Sequence, residues 1–153
     1  MSDRRRYSAR VAWTGSTGAG WARYDRTHTA SAPPAEAEIA LTTGESRGDP
    51  RLNNPEQLVV MAASSCQLLW FLHLAAKARI DVVEYTDEAE GEMPESRLTR
   101  IVLRPRIVVA SDASEHQVRR LVELAHHECN IANSLTTDVL VEPTIVLESA
   151  QTG

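Results

Sequence analysis

The segment 54–79 constrains the fold more than any other part of the chain, because it predicts one long helix that is apolar on nearly every side. Asn54 can cap this helix, Pro55 suits its first position and Gln57 can complete a capping box. A helix that is apolar nearly all round must be buried on several sides. In a chain of 153 residues, this requires a sheet on one side and a second covering surface on the other.

The rest of the chain predicts strands and one further helix around this central helix. Predicted strands cover residues 8–14, 21–30, 37–42, 81–91, 98–110 and 138–148. The two strands after the central helix are predicted to form a hairpin through residues 93–96. A second helix is predicted over 113–128, with Ser114 as its cap. The order β-β-β-α-β-β-α-β predicts an α+β fold, in a single domain over residues 1–153.

Charge and composition give no indication of a nucleic-acid or membrane partner. The net charge is −5 and the isoelectric point is about 5.5, so the chain has no general field for either surface. The basic residues 4–6 are followed by no apolar run, so we expect no secretory signal. We also expect no later stretch long enough to cross a bilayer, and therefore a cytoplasmic protein.

Both cysteines of the chain occupy places where a reactive thiol can be presented. Cys66 lies in the middle of the central helix, and Cys129 follows the second helix. In a reducing compartment two such residues are either a redox couple or two buried, inert thiols, and the residues alone leave both interpretations open. His126 and His127 beside Cys129 point in different directions, and no fourth ligand is suitably spaced. We therefore expect no metal and no cofactor.

The motifs around these cysteines resemble those of the OsmC/Ohr family of thiol-dependent peroxidases. The sequence Asn-Pro-Glu-Gln-Leu at 54–58 precedes Cys66 by ten residues from its Glu, and Cys129 follows 63 residues later, ahead of Ile-Ala-Asn-Ser at 131–134. Arg-Gly-Asp-Pro at 47–50 and Leu-Trp-Phe-Leu-His-Leu at 69–74 favour an OsmC-like branch. The resemblance implies an OsmC-like fold, with the Cys-bearing helix packed on an antiparallel sheet in an intertwined homodimer.

The resemblance also implies reduction of organic hydroperoxides to alcohols, an antioxidant activity. Cys66 would be the peroxidatic thiol and Cys129 the resolving thiol, while Glu56 and an arginine would hold the thiolate and orient the peroxide. Arg47 matches the family's arginine best. The alternatives are Arg23, Arg26 and Arg51. An external dithiol would serve as reductant, and the family points to lipoyl-bearing proteins. Asn130 stands where the better known branches have proline after the second cysteine.

The chemistry of Cys66 requires a nearby cation. Cys66 lies about three turns into its helix, where the effect of the helix dipole has faded and apolar neighbours raise a thiol's pKa. An arginine remains charged when buried, and Glu56 could hold it. However, ten helical positions separate Glu56 and Cys66 by about 15 Å. Two copies of the helix lying antiparallel across a two-fold axis would bring these residues together and cover the second apolar face, which predicts a homodimer.

Three residues that follow Cys66 are predicted to line an apolar peroxide pocket: Trp70, Phe71 and His73. We interpret His73 as a hydrogen-bonded core histidine rather than as a catalytic base. The main alternative to an enzyme is a redox sensor or a small-molecule binding protein that uses the same cysteine pair without turnover. A purely structural role for both thiols is the third interpretation.

Overall fold

The computed structural model describes residues 4–44, 46–110 and 112–148. The chain forms two compact units, one extending to Leu58 and the other beginning at Val59. The first helix, α1 (Pro55–Lys77), begins at the end of the first unit and continues into the second. The single domain expected over residues 1–153 stays a prediction.

The first unit contains one antiparallel sheet. Its strands, in the order β1-β2-β3, are β1 (Arg10–Ala12), β2 (His28–Ser31) and β3 (Glu38–Leu41). A short 3-10 helix at Thr17–Ala19 lies between β1 and β2. The first and third predicted strands are confirmed, but the second begins seven residues later than expected, at His28 and not at Trp21.

The late start of β2 follows from local hydrogen bonds that hold residues 21–26 in turns. The Arg26 guanidinium donates to the backbone carbonyls of Trp21 at 2.6 Å and Tyr24 at 3.1 Å. The Asp25 carboxylate accepts a hydrogen bond from the Thr27 amide at 2.9 Å. These side-chain bonds offer the backbone an alternative to strand pairing.

The second unit contains two three-stranded sheets, β4-β7-β9 and β5-β6-β8. Strands β6 and β8 run parallel, as do β7 and β9, whereas the other pairs are antiparallel. Each of these sheets therefore combines the antiparallel pairing that the family resemblance implies with one parallel pair. The six strands are β4 (Val82–Asp87), β5 (Glu90–Glu92), β6 (Arg100–Leu103), β7 (Pro105–Val109), β8 (Asp138–Val141) and β9 (Thr144–Leu147).

Each of the three long strands predicted in this unit is broken into two shorter ones. Asp87 ends β4, and its carboxylate accepts hydrogen bonds from the Arg104 amide at 2.6 Å and the Ser64 hydroxyl at 2.5 Å. Pro105 lacks an amide donor, and Pro143 similarly separates β8 from β9. The hairpin predicted through residues 93–96 is present, but its two arms each contribute to both sheets.

The helices match the sequence predictions closely. The second predicted helix is α2 (Glu115–Glu128), and a short helix, α3 (Asn130–Ser134), follows it. At α1 the Asn54 side chain accepts from the Gln57 amide at 2.9 Å, and the Gln57 side chain accepts from the Asn54 amide at 3.0 Å. Ser114 begins α2 with an equivalent capping box. Both predicted caps are confirmed.

In the second unit, one face of α1 packs on the sheets and α2. Phe71 and Ala75 join a buried cluster with strand β7 and helix α2, and Ala63 joins a second cluster with strands β6 and β8. The opposite face stays exposed: Met61, Leu69 and Leu72 have 45%, 63% and 39% of their surface accessible. Only one of the two covering surfaces that the sequence requires is therefore supplied by the second unit.

Helix α1, with 23 residues, is also long and apolar enough to cross a membrane, by length and composition alone. The expectation that no stretch of the chain has this length was therefore wrong. A helix at the centre of a folded core meets the same criterion, and the buried stripe of α1 lies against two sheets. The helix is weak support for a membrane span.

Candidate active site

Cys66 shares one face of α1 with three residues that form a small surface cleft. Leu69, Trp70 and His73 follow it at the i+3, i+4 and i+7 positions, which lie on one side of a helix. They line a cleft of about 240 Å³. The Trp70 and His73 rings meet edge to face, with their centroids 5.8 Å apart. His73 is exposed, so the expectation of a core histidine was wrong. Cys66 itself is half-buried. Two of the three predicted pocket residues thus line a cleft beside the predicted peroxidatic thiol.

Phe71 does not line this cleft, because it belongs to the buried stripe of the helix. It is fully buried in the core, and its ring centroid lies 5.8 Å from that of Tyr85 on β4. Phe71 is therefore a core residue, and its predicted place in the pocket was wrong.

Cys129 is buried at the junction of α2 and α3. It is the cap residue between the end of α2 and the start of α3, and 1% of its surface is accessible. Both cysteines are free thiols. Burial raises the pKa of the Cys129 thiol above its usual value of 9.0, and a hydrogen bond with the Cys66 side chain raises it further. The amide groups of Ala132 and Ile131 oppose this rise. The fold thus brings the two predicted redox residues into contact.

Two buried polar groups near this thiol pair were missed by the sequence predictions. The Tyr85 hydroxyl and the Gln67 side-chain oxygen have no hydrogen-bond partner among the described residues. Burial raises the pKa of Tyr85, and the charges of Asp87 and Cys129 raise it further. Gln67 donates from its amide to the Val122 carbonyl of α2 at 3.1 Å. Gln67 could have been found from the sequence, because it is a polar residue on the buried stripe of α1. The sequence contains no comparable signal for Tyr85.

A hydrogen bond ties the segment after Cys129 to α1. The Trp70 indole donates to the Asn130 side-chain oxygen at 3.2 Å. Asn130 is the first residue of α3 and directly follows Cys129. One signal for this bond was visible in the sequence, because Asn130 stands where the better known family branches have proline. Its partner on α1 is 60 residues away in the chain, so the sequence could not identify it.

The four candidate arginines lie in the first unit, and they differ in how far their guanidinium groups are already engaged. Arg51 forms two hydrogen bonds with Asp49, at 3.0 and 2.9 Å, which hold the pKa of that carboxyl below its usual value. Arg26 is held by two backbone carbonyls and lies 3.9 Å above the Tyr24 ring. Arg23 is exposed.

Arg47 and Glu56 are the charged pair that the sequence predicts for the thiolate. Arg47 lies 3.8 Å above the exposed ring of Trp21, and Glu56 is half-buried in the first turn of α1. Within residues 4–44, 46–110 and 112–148, neither side chain forms an ion pair. Their role at the cysteines stays a prediction. In the same described ranges, no cluster of three His, Cys, Asp or Glu side chains could hold a metal ion.

A family model described as OsmC-like protein matches residues 48–144, which include both cysteines. The chain belongs to the OsmC-like family. This match confirms the family that the motifs predicted, and with it the α+β OsmC-like fold.

Solved structures of OsmC-like proteins agree with this assignment. An OsmC-like protein of unknown function from Vibrio cholerae O1 biovar eltor str. N16961 is 31% identical, with a TM-score of 0.84 over 92% of this chain and 100% of the other. An organic hydroperoxide resistance protein from Elizabethkingia anophelis is 17% identical, with a TM-score of 0.66 over 97% and 100%. The OsmC organic hydroperoxide resistance protein from Legionella pneumophila is 16% identical, with a TM-score of 0.63 over 95% and 99%. No curated protein matches the chain.

The two thiols of this OsmC-like chain differ in a way that suits a two-step redox reaction. Cys66 is partly accessible and lies on the helical face that carries the cleft residues, whereas Cys129 is buried. A reagent from solvent therefore reaches Cys66 more readily than Cys129. Because its side chain interacts with that of Cys66, Cys129 is the thiol placed to form a disulfide once Cys66 is oxidised.

Proposed function

We propose that this OsmC-like protein is a thiol-dependent peroxidase that reduces organic hydroperoxides to alcohols. The observation that carries the proposal is the contact between a partly accessible Cys66 and a buried Cys129. Relatives of the same fold that are named organic hydroperoxide resistance proteins support the choice of substrate. The apolar and aromatic lining of the cleft suits an organic substituent better than hydrogen peroxide.

The cycle has two steps on the protein and one that regenerates it. The Cys66 thiolate attacks the hydroperoxide, the O–O bond breaks, and the products are an alcohol and a Cys66 sulfenic acid. Cys129 then displaces water from the sulfenic acid and forms the Cys66–Cys129 disulfide. An external dithiol reduces this disulfide and is itself oxidised. A lipoyl-bearing protein is the proposed donor of that dithiol, and no metal or cofactor takes part.

Arg47 and Glu56 are the proposed charged partners of the Cys66 thiolate. Arg47 is favoured over Arg51 and Arg26, because the latter two guanidinium groups are held by a carboxylate and by two carbonyls, respectively. Glu56 is proposed to act on Cys66 of a second copy, because about 15 Å of helix separates the two residues in one chain. The proposed protein is a cytoplasmic homodimer without nucleic-acid or membrane partners.

The proposal is tested by mixing the reduced protein with one equivalent of cumene hydroperoxide and following free thiols, intact mass and cumyl alcohol. We expect the wild type to lose both thiols and about two protons of mass, and to release one alcohol per chain. Cys129→Ser should stop at a sulfenic acid that dimedone traps, and Cys66→Ser should not react. With dihydrolipoamide in excess, the wild type should consume many equivalents of peroxide.

Three other outcomes identify the alternatives. Oxidation of both thiols without turnover, in the presence of several dithiols, would indicate a redox sensor. Dimedone trapping in Cys66→Ser and not in Cys129→Ser would reverse the two roles. Wild-type thiols that survive conditions in which free cysteine is fully oxidised would eliminate the peroxidase.

A further inference from the structure

The structure assigns Trp70 and Asn130 a positioning role: their hydrogen bond holds Cys129 against Cys66 in the reduced protein, ready for disulfide formation. This inference rests on the proposed function for its biological purpose, since it concerns the step in which Cys129 condenses with oxidised Cys66. Both are positioning residues, and neither is assigned a part in the chemistry at the sulfur atoms. Each acts through the segment that carries Cys129.

The first support is the place of the bond in the fold. Cys129 is the single residue between the last residue of α2 and the first residue of α3. On its far side, Asn130 is tied to α1 by the 3.2 Å bond from the Trp70 indole. Trp70 follows Cys66 by one turn on the same helical face. The bond therefore links Asn130, the residue after Cys129, to Trp70, which lies one turn beyond Cys66 on α1.

The second support is that the other side-chain hydrogen bonds of α3 do not reach α1. The other side-chain hydrogen bonds of α3 remain local, because Ser134 donates to the Asn130 carbonyl at 2.6 Å and Asn133 donates to the His127 carbonyl at 3.0 Å. Among the side-chain hydrogen bonds of the described residues, the Trp70–Asn130 bond is the one that joins α1 to α3. Ile131 and Ala132 pack on the apolar cluster behind it.

The third support concerns disulfide formation, the step of the cycle in which the two sulfur atoms most need to be held close together. Because burial raises the pKa of Cys129, few of its thiol groups are ionised at neutral pH. A small population of nucleophile is compensated when the reacting sulfur atoms are held close together. Disulfide formation holds the same two segments together, so the hydrogen bond and the Cys66–Cys129 bond favour each other.

The role is tested without peroxide, through equilibrium with glutathione. In a buffer of reduced and oxidised glutathione, Cys66 forms a mixed disulfide, and the Cys129 thiolate then displaces glutathione thiolate to give Cys66–Cys129. The ratio [GSH]²/[GSSG] at which half of the protein is oxidised measures the effective concentration of Cys129 at Cys66. Trp70→Phe and Asn130→Leu are compared with the wild type. Trp13→Phe is the matched control, because its indole donates to the Asp25 carbonyl at 2.8 Å in the first unit.

We expect Trp70→Phe and Asn130→Leu each to lower this effective concentration by about three- to tenfold, the range that one hydrogen bond supports. The double variant should be no worse than either single variant, because both changes remove the same bond. Trp13→Phe should match the wild type. Asn130 is exposed, so its replacement should leave the fold intact even if Trp70→Phe loosens the cleft.

Effective concentrations within twofold of the wild type for both single variants would overturn the positioning role. Additive losses in the double variant would also overturn it, since they would mean two independent effects. A wild type that forms no Cys66–Cys129 disulfide in this buffer would overturn it together with the resolving role of Cys129. If the disulfide and its dependence on Trp70 and Asn130 are found but peroxide does not react, the proposed function fails and this inference stands.

Discussion

At the scale of single residues, the sequence predicted the reactive pair but not its surroundings. Cys66 and Cys129 could be chosen because their motifs are family patterns in the chain itself. Their contact and the burial of Cys129 arise from packing between segments 63 residues apart, which no local pattern encodes. The same holds for Tyr85 and for the Trp70–Asn130 bond, whose partners lie on different elements.

The raised pKa of Cys129 makes the stability of the reduced protein depend on pH. Because burial raises the folded pKa above the usual 9.0, the unfolded chain loses this proton at lower pH than the folded one. The contribution of Cys129 to stability is therefore complete below pH 9.0 and is lost as pH rises through the folded pKa. We expect urea denaturation to show a fall in unfolding free energy above pH 9.0, with a slope of up to about 1.4 kcal/mol per pH unit.

Cys129→Ala is the control for this pH dependence. It should be less stable at neutral pH and flatter between pH 8.5 and 10, a window below the usual value of 10.0 for the other buried acid, Tyr85. The disulfide form of the wild type should also be flatter, because its thiols cannot ionise. Equal slopes for the wild type and Cys129→Ala would show that Cys129 does not contribute.

At the scale of elements, helices were predicted more accurately than strands. A capping box involves only four consecutive residues, so the capping boxes at Asn54 and Ser114 could be predicted directly from the sequence. The strand breaks depend on an interaction across 17 residues, between the Asp87 carboxylate and the Arg104 amide. Alternation of apolar and polar residues continues through such a break, so the pattern predicts one strand where the structure has two.

Asp87 is expected to contribute more to the unfolding free energy than an exposed charged residue does. Its carboxylate accepts two hydrogen bonds at the point where the two sheets separate. One comes from the Arg104 amide and the other from Ser64 on α1. Asp87→Ala should lower the unfolding free energy by about 2–3 kcal/mol, and Asp87→Asn by less, since one oxygen acceptor remains. Chemical denaturation of the reduced protein measures both changes.

Glu88→Ala is the matched control, because this neighbouring carboxylate is exposed. It should change the unfolding free energy by about 0.5 kcal/mol or less. If Asp87→Ala were as mild as Glu88→Ala, the carboxylate would not be what separates the sheets. Pro105 and Pro143 would then be a sufficient reason for the broken strands.

At the scale of the whole molecule, the apolar character of α1 requires a second covering surface that the second unit does not supply. The sequence predicts that the helix is covered on two sides, and the second unit covers one, leaving Met61, Leu69 and Leu72 exposed. An exposed apolar face that borders the Cys66 cleft is typical of an interface. The proposed occupant is a second copy of the chain, because that arrangement also supplies a Glu56 to each Cys66. A single sequence could predict the need for a cover, but it cannot show the cover itself.

The shared site predicts complementation between two inactive variants. Cys66→Ser lacks the peroxidatic thiol, and Glu56→Gln lacks the proposed carboxylate. In a heterodimer of the two, one site would combine Cys66 of the second variant with Glu56 of the first, while the other site would carry both changes. Co-expression with two different tags and purification on both should give a protein with about half of the wild-type turnover of cumene hydroperoxide.

The control pairs Cys66→Ser with Cys129→Ser in the same way. Cys66 and Cys129 lie in contact within one chain, so neither chain of that heterodimer has a complete pair and turnover should stay absent. Introducing Leu72→Glu into both chains of the first pair should also remove the restored turnover, since a charge would be buried in the proposed interface and Leu72 does not line the cleft. Restored turnover in the control, or none in the first pair, would contradict a site in which the thiols belong to one chain and the carboxylate to the other.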